Sequence, residues 1–363
     1  MKTPKPHKMS TTTFSFWRMA LLLPAAVQGL LIETSRDFPL GSEVENLALR
    51  LSGSVLATVY TFPEIYEVAP RPNSTPKLLH TFANTTGACG ITNSPTTPDE
   101  FYIVTGNFSF ANFTPAPGSY ALHRLSFAKC GTPIVKKLAA LGAVAQPNGL
   151  VSVPNTPYLL IADSLGGFVY RFDTTTLQLT TYFDHPLLKP LAVDIRFGVN
   201  GVKLSRGYLY FSNTNQQVVA RVKATGKKAV LEGTPEIVAT STPVDDFVVN
   251  DLNGDVYVAE SSPNNGIGLV KNDAYGSVPV TIAGGPNQTQ ILGPTAAIWA
   301  KGGVGKTLLV SATGGFEQFF TKNYTGGGKV AVIHLEYITT CTRHRPREDW
   351  RGLRQNVWQD ANR

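Results

Sequence analysis

The sequence has little cysteine, no long helical pattern and none of the common catalytic signatures. Its three cysteines, at positions 89, 130 and 341, form no Cys-x-x-Cys pair, so a zinc or redox site is not indicated. The patterns G-x-S-x-G and H-E-x-x-H are missing, as is a cysteine with an evident histidine partner, which argues against the usual hydrolytic machinery. Because long amphipathic helices are absent, α/β folds are disfavoured.

The excess of positive charge belongs to the two ends of the chain. The formal net charge is +7, but residues 1–29 carry +4 and residues 341–363 carry +3. Residues 30–340 are therefore neutral overall, which argues against nucleic acid or a membrane surface as a partner. We interpret residues 341–363 as a basic, disordered tail.

The N-terminus is typical of a secretory signal peptide. Four basic residues precede the apolar run 19–27, and small or polar residues follow it. This run is shorter than the roughly 20 apolar residues that cross a bilayer. We predict that residues 1–29 are a signal peptide and that the protein enters the secretory pathway, with no membrane attachment after cleavage. An N-terminal anchor or a disordered leader is the alternative.

Six Asn-x-Ser/Thr sequons agree with a secretory route, because this triplet is the acceptor for N-glycosylation. The predicted glycosylation sites are Asn73, Asn84, Asn107, Asn112, Asn287 and Asn323. In an oxidising compartment Cys89 and Cys130 could form one disulfide and leave Cys341 unpaired. Three free thiols are the alternative.

One pattern recurs six times between the two ends: a polar or acidic residue, an apolar stretch, a turn, and a second apolar strand ending in small residues. Its copies occupy residues 45–58, 90–105, 148–163, 200–213, 246–259 and 294–312. Alternating segments such as 167–172 and 217–222 add third strands. Units of about 40–50 residues built from short strands are typical of propeller blades. We predict an all-β fold, a six-bladed β-propeller over residues 30–340, with a pair of β-sandwiches as the alternative.

The stretch AKGGVGKT, residues 300–307, satisfies the pattern of a phosphate-binding loop. That motif requires a helix after Lys306 whose N-terminus faces the phosphates. Residues 307–315 instead have the pattern of a short strand closed by two glycines. The stretch also occupies the turn position of the sixth copy of the repeat. We therefore predict a glycine-rich hairpin turn and no nucleotide site.

The residues that open the inner strands of a propeller converge at one mouth of its central channel. Here those residues are Glu45, Asn148, Asn200 and Asp246, with Thr295 nearby. Their oxygens suit a hard divalent cation such as calcium, and they equally suit hydrogen bonds to a polar substrate. The alternative is that they only serve turns.

Two segments resemble the family of gluconolactonases and senescence marker protein. They are Asn200–Thr214 and Asp246–Ala259, and the resemblance covers roughly residues 40–335. It implies a metal-binding set with Asp246 as proton shuttle; this set is Glu45, Asn148, Asn200 and Asp246. The family usually has Pro-Asp-Gly before the fifth inner strand, whereas this sequence has Val244-Asp245-Asp246-Phe247.

A narrower resemblance is to the secreted fungal branch of this fold, which includes hetero-Diels–Alderases of tropolone–sesquiterpenoid pathways. It is carried by Glu45-Asn-Leu-Ala and by Gly198–Lys203, together with the signal peptide and the sequons. It implies a small hydrophobic polyketide or terpenoid substrate, dehydration of a tropolone precursor to a quinone methide, and its [4+2] addition to a sesquiterpene, without a cofactor. Asp246, beside Asp245, is the predicted catalytic residue, since neighbouring carboxylates raise one pKa and leave a proton to donate.

Such chemistry needs a dry apolar pocket that fixes one geometry. Aromatic residues near loops are candidates for its walls: Tyr60, Phe62, Phe108, Phe110, Phe113, Trp299 and Phe316. Among the polar candidates, Glu45, Asn148, Asn200 and Thr295 are predicted to bind substrate together with Trp299. Three classes stay open: a cyclase first, a lactonase or esterase that uses a divalent cation second, and a secreted binding propeller without activity third.

Overall fold

The computed structural model describes residues 30–128 and 131–336. The predicted signal peptide, Cys130 and the basic tail with Cys341 lie outside the described residues. No helix within the described ranges is long and apolar enough to span a membrane.

The chain forms six four-stranded antiparallel sheets, each of which is one blade of a β-propeller. The strand β1 (Leu31–Thr34) belongs to the last blade. Blade 1 contains β2 (Val44–Leu49), β3 (Val55–Val59), β4 (Glu64–Val68) and β5 (Lys77–Thr81). Blade 2 contains β6 (Gly87–Asn93), β7 (Phe101–Gly106), β10 (Ala121–Phe127) and β11 (Pro133–Ala140), with the short hairpin β8 (Phe108–Ser109) and β9 (Thr114–Pro115) inserted between β7 and β10.

The remaining four blades follow the same order from the inner to the outer strand. Blade 3 contains β12 (Pro147–Ser152), β13 (Tyr158–Asp163), β14 (Phe168–Asp173) and β15 (Leu179–Asp184). Blade 4 contains β16 (Val199–Ser205), β17 (Tyr208–Asn213), β18 (Val218–Thr225) and β19 (Val230–Thr240). Blade 5 contains β20 (Val244–Val249), β21 (Val256–Glu260), β22 (Gly266–Val270) and β23 (Val280–Gly284). Blade 6 contains β24 (Pro294–Trp299), β25 (Thr307–Ala312) and β26 (Lys329–His334), and β1 is its outer strand.

Three short helical segments interrupt the strands. They are two 3-10 turns, Pro186–Leu188 and Asn272–Ala274, and the helix α1 (Glu317–Thr321), which lies between β25 and β26.

The ring closes by pairing the first described strand with the last. β1 runs antiparallel to β26, with Leu31 opposite His334, and the inner strands β24 and β2 are in contact. Closure completes the sixth blade with a strand from the other end of the described chain. The six-bladed propeller predicted from the repeat is therefore confirmed, and the pair of β-sandwiches is excluded.

The core lies between neighbouring blades rather than inside any one of them. The second strand of each blade is buried on both faces, as in β13 and β17, because both faces are covered by adjacent sheets. One such layer packs Leu160 and Val169 of blade 3 against Val202 and Phe211 of blade 4. A β-sheet with both faces covered needs continuous apolar runs, which the repeat supplies.

The stretch that resembles a phosphate-binding loop is the hairpin between β24 and β25. Its tight turn places Gly302 at φ +67° and Gly305 at φ +73°, values that a residue with a Cβ adopts at a cost. Lys306 forms an exposed ion pair with Glu336, with Nζ 3.1 Å from Oε1. A strand follows Lys306 where nucleotide binding would require a helix, so the prediction of a turn is correct.

Candidate functional site

Every inner strand carries a β-bulge at the same height, and the bulges place six side chains around the channel. The register slips between Val44 and Leu47 in β2, and at equivalent points in the other inner strands. The first residue inside each bulge is Glu45, Cys89, Asn148, Asn200, Asp245 or Thr295. We call these six the ring residues.

The second residue of the bulge lies where neighbouring blades approach most closely. Glycine occupies this position after Cys89, Asn148 and Asn200. A Cβ at Gly149 would overlap the carbonyl oxygen of Asn200, so glycine is required there by the packing of blade 3 against blade 4.

The structure corrects one member of the predicted site. Asp245, and not Asp246, is the ring residue of blade 5, because the bulge begins directly after Val244. Asp246 takes the second bulge position. Its Oδ2 lies 2.5 Å from Nζ of Lys203 and 3.4 Å from Nδ2 of Asn46, and its Oδ1 accepts a hydrogen bond from the backbone N–H of Phe247.

A pocket of about 230 Å³ opens above the ring. Five phenylalanines line this pocket, and we call them the aromatic roof: Phe110, Phe113, Phe197, Phe316 and Phe320. Its base contains three carboxyl groups, which we call the acidic floor: Glu43, Glu45 and Asp245. Asn148, Asn200, Tyr60, Thr214 and Ile195 complete the lining with two serines, Ser261 and Ser262.

Four of the five roof residues come from two insertions that meet over the mouth, and the fifth, Phe197, precedes β16. The hairpin β8–β9 carries Phe110 and Phe113, and the segment around α1 carries Phe316, Phe319 and Phe320. Phe113 stacks on Phe320 with ring centroids 4.5 Å apart, and Phe110 lies 5.4 Å from Phe319. These contacts narrow the entrance and surround any ligand with aromatic carbon.

The acidic floor is buried, and burial sets its protonation. Glu43 is 2% exposed, and its Oε2 has no hydrogen-bond partner. Burial raises the pKa of Glu43 well above its usual value, and the charge of Asp245 raises it further. Burial likewise raises the pKa of Glu45, to which the charges of Glu43 and Asp246 add, while a hydrogen bond from Cys89 opposes the rise.

Asp245 differs from the two glutamates in its hydrogen bonding. Burial raises its pKa, and the charges of Glu45 and Asp246 add to the increase. Against this, Nδ2 of Asn200 donates to Oδ1 of Asp245 at 2.8 Å, which favours the ionised form. Within the acidic floor, Asp245 therefore has a partner for its negative charge, whereas Glu43 has an oxygen without one.

The thiol of Cys89 belongs to the ring. Its Sγ lies 3.9 Å from Oε1 of Glu45 and 3.7 Å from Oδ1 of Asn148, and burial raises its pKa. Cys89 is free in the structure. The predicted disulfide to Cys130, which lies outside the described residues, is therefore not present at Cys89, because its side chain points into the channel.

Two other predicted binding residues do not reach the pocket. Thr295 is a ring residue, but its Oγ1 donates to the carbonyl of Val44 at 2.7 Å and does not line the cavity. Trp299 ends β24 at the opposite mouth, where its Nε1 donates to the carbonyl of Val249 at 2.8 Å. The inner strand runs the length of the channel, so its two ends serve different mouths.

The predicted aromatic residues divide in a similar way. Tyr60, Phe110, Phe113 and Phe316 line the pocket. Phe108 packs beneath the roof with its ring 4.9 Å from that of Tyr60, and Phe62 packs against the core between blades 1 and 6.

Sequence reasoning missed Glu43, Asp245, Phe197 and Phe320 as pocket residues. Asp245 had a signal: it follows Val244 as Glu45 follows Val44 and Asn200 follows Val199. The other three had none, because their position depends on loops that meet only in the folded protein.

Five of the six sequon asparagines are exposed: Asn73, Asn84, Asn112, Asn287 and Asn323. Asn107 is half-buried, and its Oδ1 accepts a hydrogen bond from the backbone N–H of Thr86 at 3.0 Å. Glycosylation stays a prediction for all six, with Asn107 the least accessible.

The ring has the donor chemistry of a site for a hard cation. Carboxylate oxygens from Glu45 and Asp245 and amide oxygens from Asn148 and Asn200 are the ligands that calcium accepts, and the buried, unpartnered Oε2 of Glu43 lies beside them. Within residues 30–128 and 131–336, no three His, Cys, Asp or Glu side chains form a group that could hold a metal ion. The amide oxygens of Asn148 and Asn200 would therefore have to supply two of the four protein ligands. Under that condition the donor set fits a hard cation such as calcium.

No protein-family model and no curated protein matches this chain. Solved structures do. A luciferin-regenerating enzyme is 11% identical with a TM-score of 0.60, over 85% of this chain and 96% of that one. Regucalcin, a calcium-binding protein from Agrobacterium tumefaciens, is 15% identical with a TM-score of 0.53, over 84% and 97%. Virginiamycin B lyase from Staphylococcus aureus is 12% identical with a TM-score of 0.54, over 85% and 100%.

At such identities the likeness establishes the six-bladed propeller fold and no more.

Proposed function

We propose that this chain is an enzyme that binds a largely apolar small molecule in the central pocket, helps it to lose water, and directs the ring closure that follows. The reaction is that of the hetero-Diels–Alderases which the sequence resembles: a tropolone precursor gives a quinone methide, which adds to a cyclic polyene. The observation that carries the proposal is an aromatic pocket whose floor consists of buried carboxyl groups with raised pKa values.

The two best-placed carboxyls have environments that separate their roles. Glu43 has an unpartnered oxygen and a raised pKa, so it holds a proton and acts as the general acid. Burial raises the pKa of Asp245 as well, but the hydrogen bond that Asp245 accepts from Asn200 favours its ionised form, so we assign Asp245 as the general base. Pairs of titratable groups with different environments are the usual basis for such assignments.

The proton transfers balance over one catalytic cycle. Glu43 gives its proton to the substrate's departing hydroxyl, which leaves as water, while Asp245 takes the proton from the ring hydroxyl. The substrate has then lost one water and has become the quinone methide. The proton on Asp245 returns to Glu43, which restores both groups.

Ring closure needs orientation and a dry environment. Two bonds form between the quinone methide and the alkene without further proton transfer. Holding both partners in a reactive geometry contributes about 7–11 kcal/mol in ideal intramolecular cases. The aromatic roof keeps out bulk water, which would otherwise add to the quinone methide.

The proton-donor role expected for Asp246 passes to Glu43 in this proposal, and Asp245 serves as the base. Asp246 already forms an ion pair with Lys203 at 2.5 Å and does not line the pocket.

The test offers the purified protein a hydroxylated tropolone–humulene precursor and, separately, a panel of aldonolactones, each with and without chelator. Asp245→Asn should slow cyclisation by roughly 10²–10⁴-fold, while adduct selectivity survives because the shape of the pocket sets it. Glu232→Gln, on the outer strand β19, is the matched control. Chelator-sensitive lactone hydrolysis with no effect on cyclisation would contradict the proposal.

The second candidate is a metal-dependent lactonase, and the donor set of the ring favours it. Glu45, Asn148, Asn200 and Asp245 would hold a calcium-like ion, which supplies polarisation of the lactone carbonyl when bound. Glu43 would remain free to accept a proton from the attacking water. In that case Asp245→Asn abolishes hydrolysis and lowers metal affinity together. A binding propeller without activity has less support, because the mouth is a lined pocket rather than a flat face.

A further inference from the structure

The lining of the pocket, as the described residues form it, contains three carboxyl groups and no lysine or arginine. Lys203, on the inner strand β16, pairs with Asp246. No ion pair in the described ranges reaches Glu43, Glu45 or Asp245. Glu43, which lines the cavity, in addition has a buried oxygen, Oε2, without a hydrogen-bond partner. A carboxylate in such a position requires a proton or a cation.

The walls of the pocket favour positive charge as well. Aromatic faces attract cations, most strongly where water is excluded. Phe110, Phe113 and Phe320 present their rings from the two insertions that meet over the mouth. A small inorganic ion would contact the floor alone, and a neutral apolar molecule would use the roof alone. A cation with an apolar surface uses both.

We propose that this pocket is a binding site for an organic cation, an ammonium group carried on an apolar or aromatic body, with the charged group against the acidic floor. The inference rests on the proposed function, since departure of the protonated hydroxyl as water develops positive charge on the substrate carbon at the same place. An ammonium ion in the pocket then imitates the charged state of the reacting molecule. The pocket is selective for charge as well as for shape.

The experiment compares two molecules of nearly identical shape: meta-(trimethylammonio)phenol, which carries a permanent charge, and meta-tert-butylphenol, which is neutral. Isothermal titration calorimetry at neutral pH, with chelator present, measures both affinities. The charged probe should bind about tenfold or more tighter, since cation–π contacts and a buried carboxylate both act on it. Equal affinities would overturn the inference.

Two variants locate the binding energy. Glu43→Gln should reduce the ratio of the charged probe's affinity to the neutral probe's affinity several-fold. Phe320→Leu should reduce this ratio further by removing an aromatic ring from the mouth. Glu232→Gln is the matched control and should change neither affinity. An advantage that survives both pocket variants would place the cation elsewhere and overturn the inference.

Tests with calcium and with the tropolone precursor distinguish the organic-cation site from a metal site and from the proposed reaction. Calcium that binds the ring and excludes the ammonium probe would overturn the organic-cation site in favour of a metal. Cyclisation of the tropolone precursor without preference for the charged probe would refute the cation site alone. Preference for the charged probe without cyclisation would refute the proposed reaction and leave the cation site standing.

Discussion

Replacing Glu43 with glutamine should stabilise the protein at neutral pH and leave its stability nearly unchanged in acid. In the unfolded chain this carboxyl ionises near its usual pKa of 4.5, whereas in the folded protein burial holds its pKa well above that value. Folding therefore keeps a proton that the unfolded chain has released. The stability of the unmodified protein is complete below the unfolded pKa and falls as pH rises through the folded one.

The size of the effect follows from what glutamine keeps and what it removes. Its side chain has the same shape, and it leaves one polar group without a partner, as the protonated acid does. It removes the requirement to keep a proton or bury a charge. Each pH unit above the unfolded pKa over which the folded protein keeps this proton costs about 1.4 kcal/mol of stability. We expect Glu43→Gln to raise the free energy of unfolding by about 1–3 kcal/mol near pH 7, and by nearly nothing near pH 4.

Urea denaturation followed by intrinsic fluorescence, with chelator present throughout, measures this difference across the pH range. The control is Glu232→Gln, an exposed carboxylate that pairs with Lys223 and accepts a hydrogen bond from Thr225. Its pKa is lowered by these partners, so any effect should be small and of opposite sign. If Glu43→Gln destabilises the protein at neutral pH, or changes stability equally at all pH values, the reasoning on the acidic floor is wrong.

Three further substitutions test the fold and the channel. Lys306→Ala should leave stability and activity nearly unchanged, since exposed ion pairs contribute about 0–1 kcal/mol; ATP binding abolished by this change would contradict the hairpin. Gly149→Ala should lower the thermal midpoint, with a cost of about 1–3 kcal/mol from overlap with the carbonyl of Asn200; an unchanged midpoint would argue against the close approach of the blades. Lys203→Met should destabilise by about 1.5–3 kcal/mol by leaving Asp246 buried without its cation, and adding Asp246→Asn should recover much of the loss; additive losses would argue against the pairing.

The number of blades was predictable because each blade repeats one local pattern. Apolar alternation, turn residues and strand length are properties of short segments, and six copies of the same pattern leave few alternative folds. The same local rules identified the stretch before Lys306 as a turn. They also identified Glu45, Asn148 and Asn200 as neighbours, because each occupies the same position in its own repeat.

The assignment of Asp246 rather than Asp245 to the ring shows what a local sequence pattern does not predict. A bulge adds one residue to a strand and changes which side chain points into the channel, and the sequence does not mark the bulge unless the repeats are aligned on the preceding valine. Val44, Val199 and Val244 each precede a ring residue. Alignment on these valines selects Asp245, whereas alignment on the acidic residue closest to the strand's apolar run selects Asp246.

The six blades, their hairpins and most of the ring can be predicted from the sequence, because they depend on contacts between residues close along the chain. The pocket cannot, because its walls come from distant parts of the chain. Phe113 and Phe320 come from different blades and stack at 4.5 Å, and the buried Glu43 shares the pocket with Asp245 of blade 5. Whether a carboxyl is solvated, paired or left without a partner depends on every strand around it, and that is a property of the closed ring rather than of any segment.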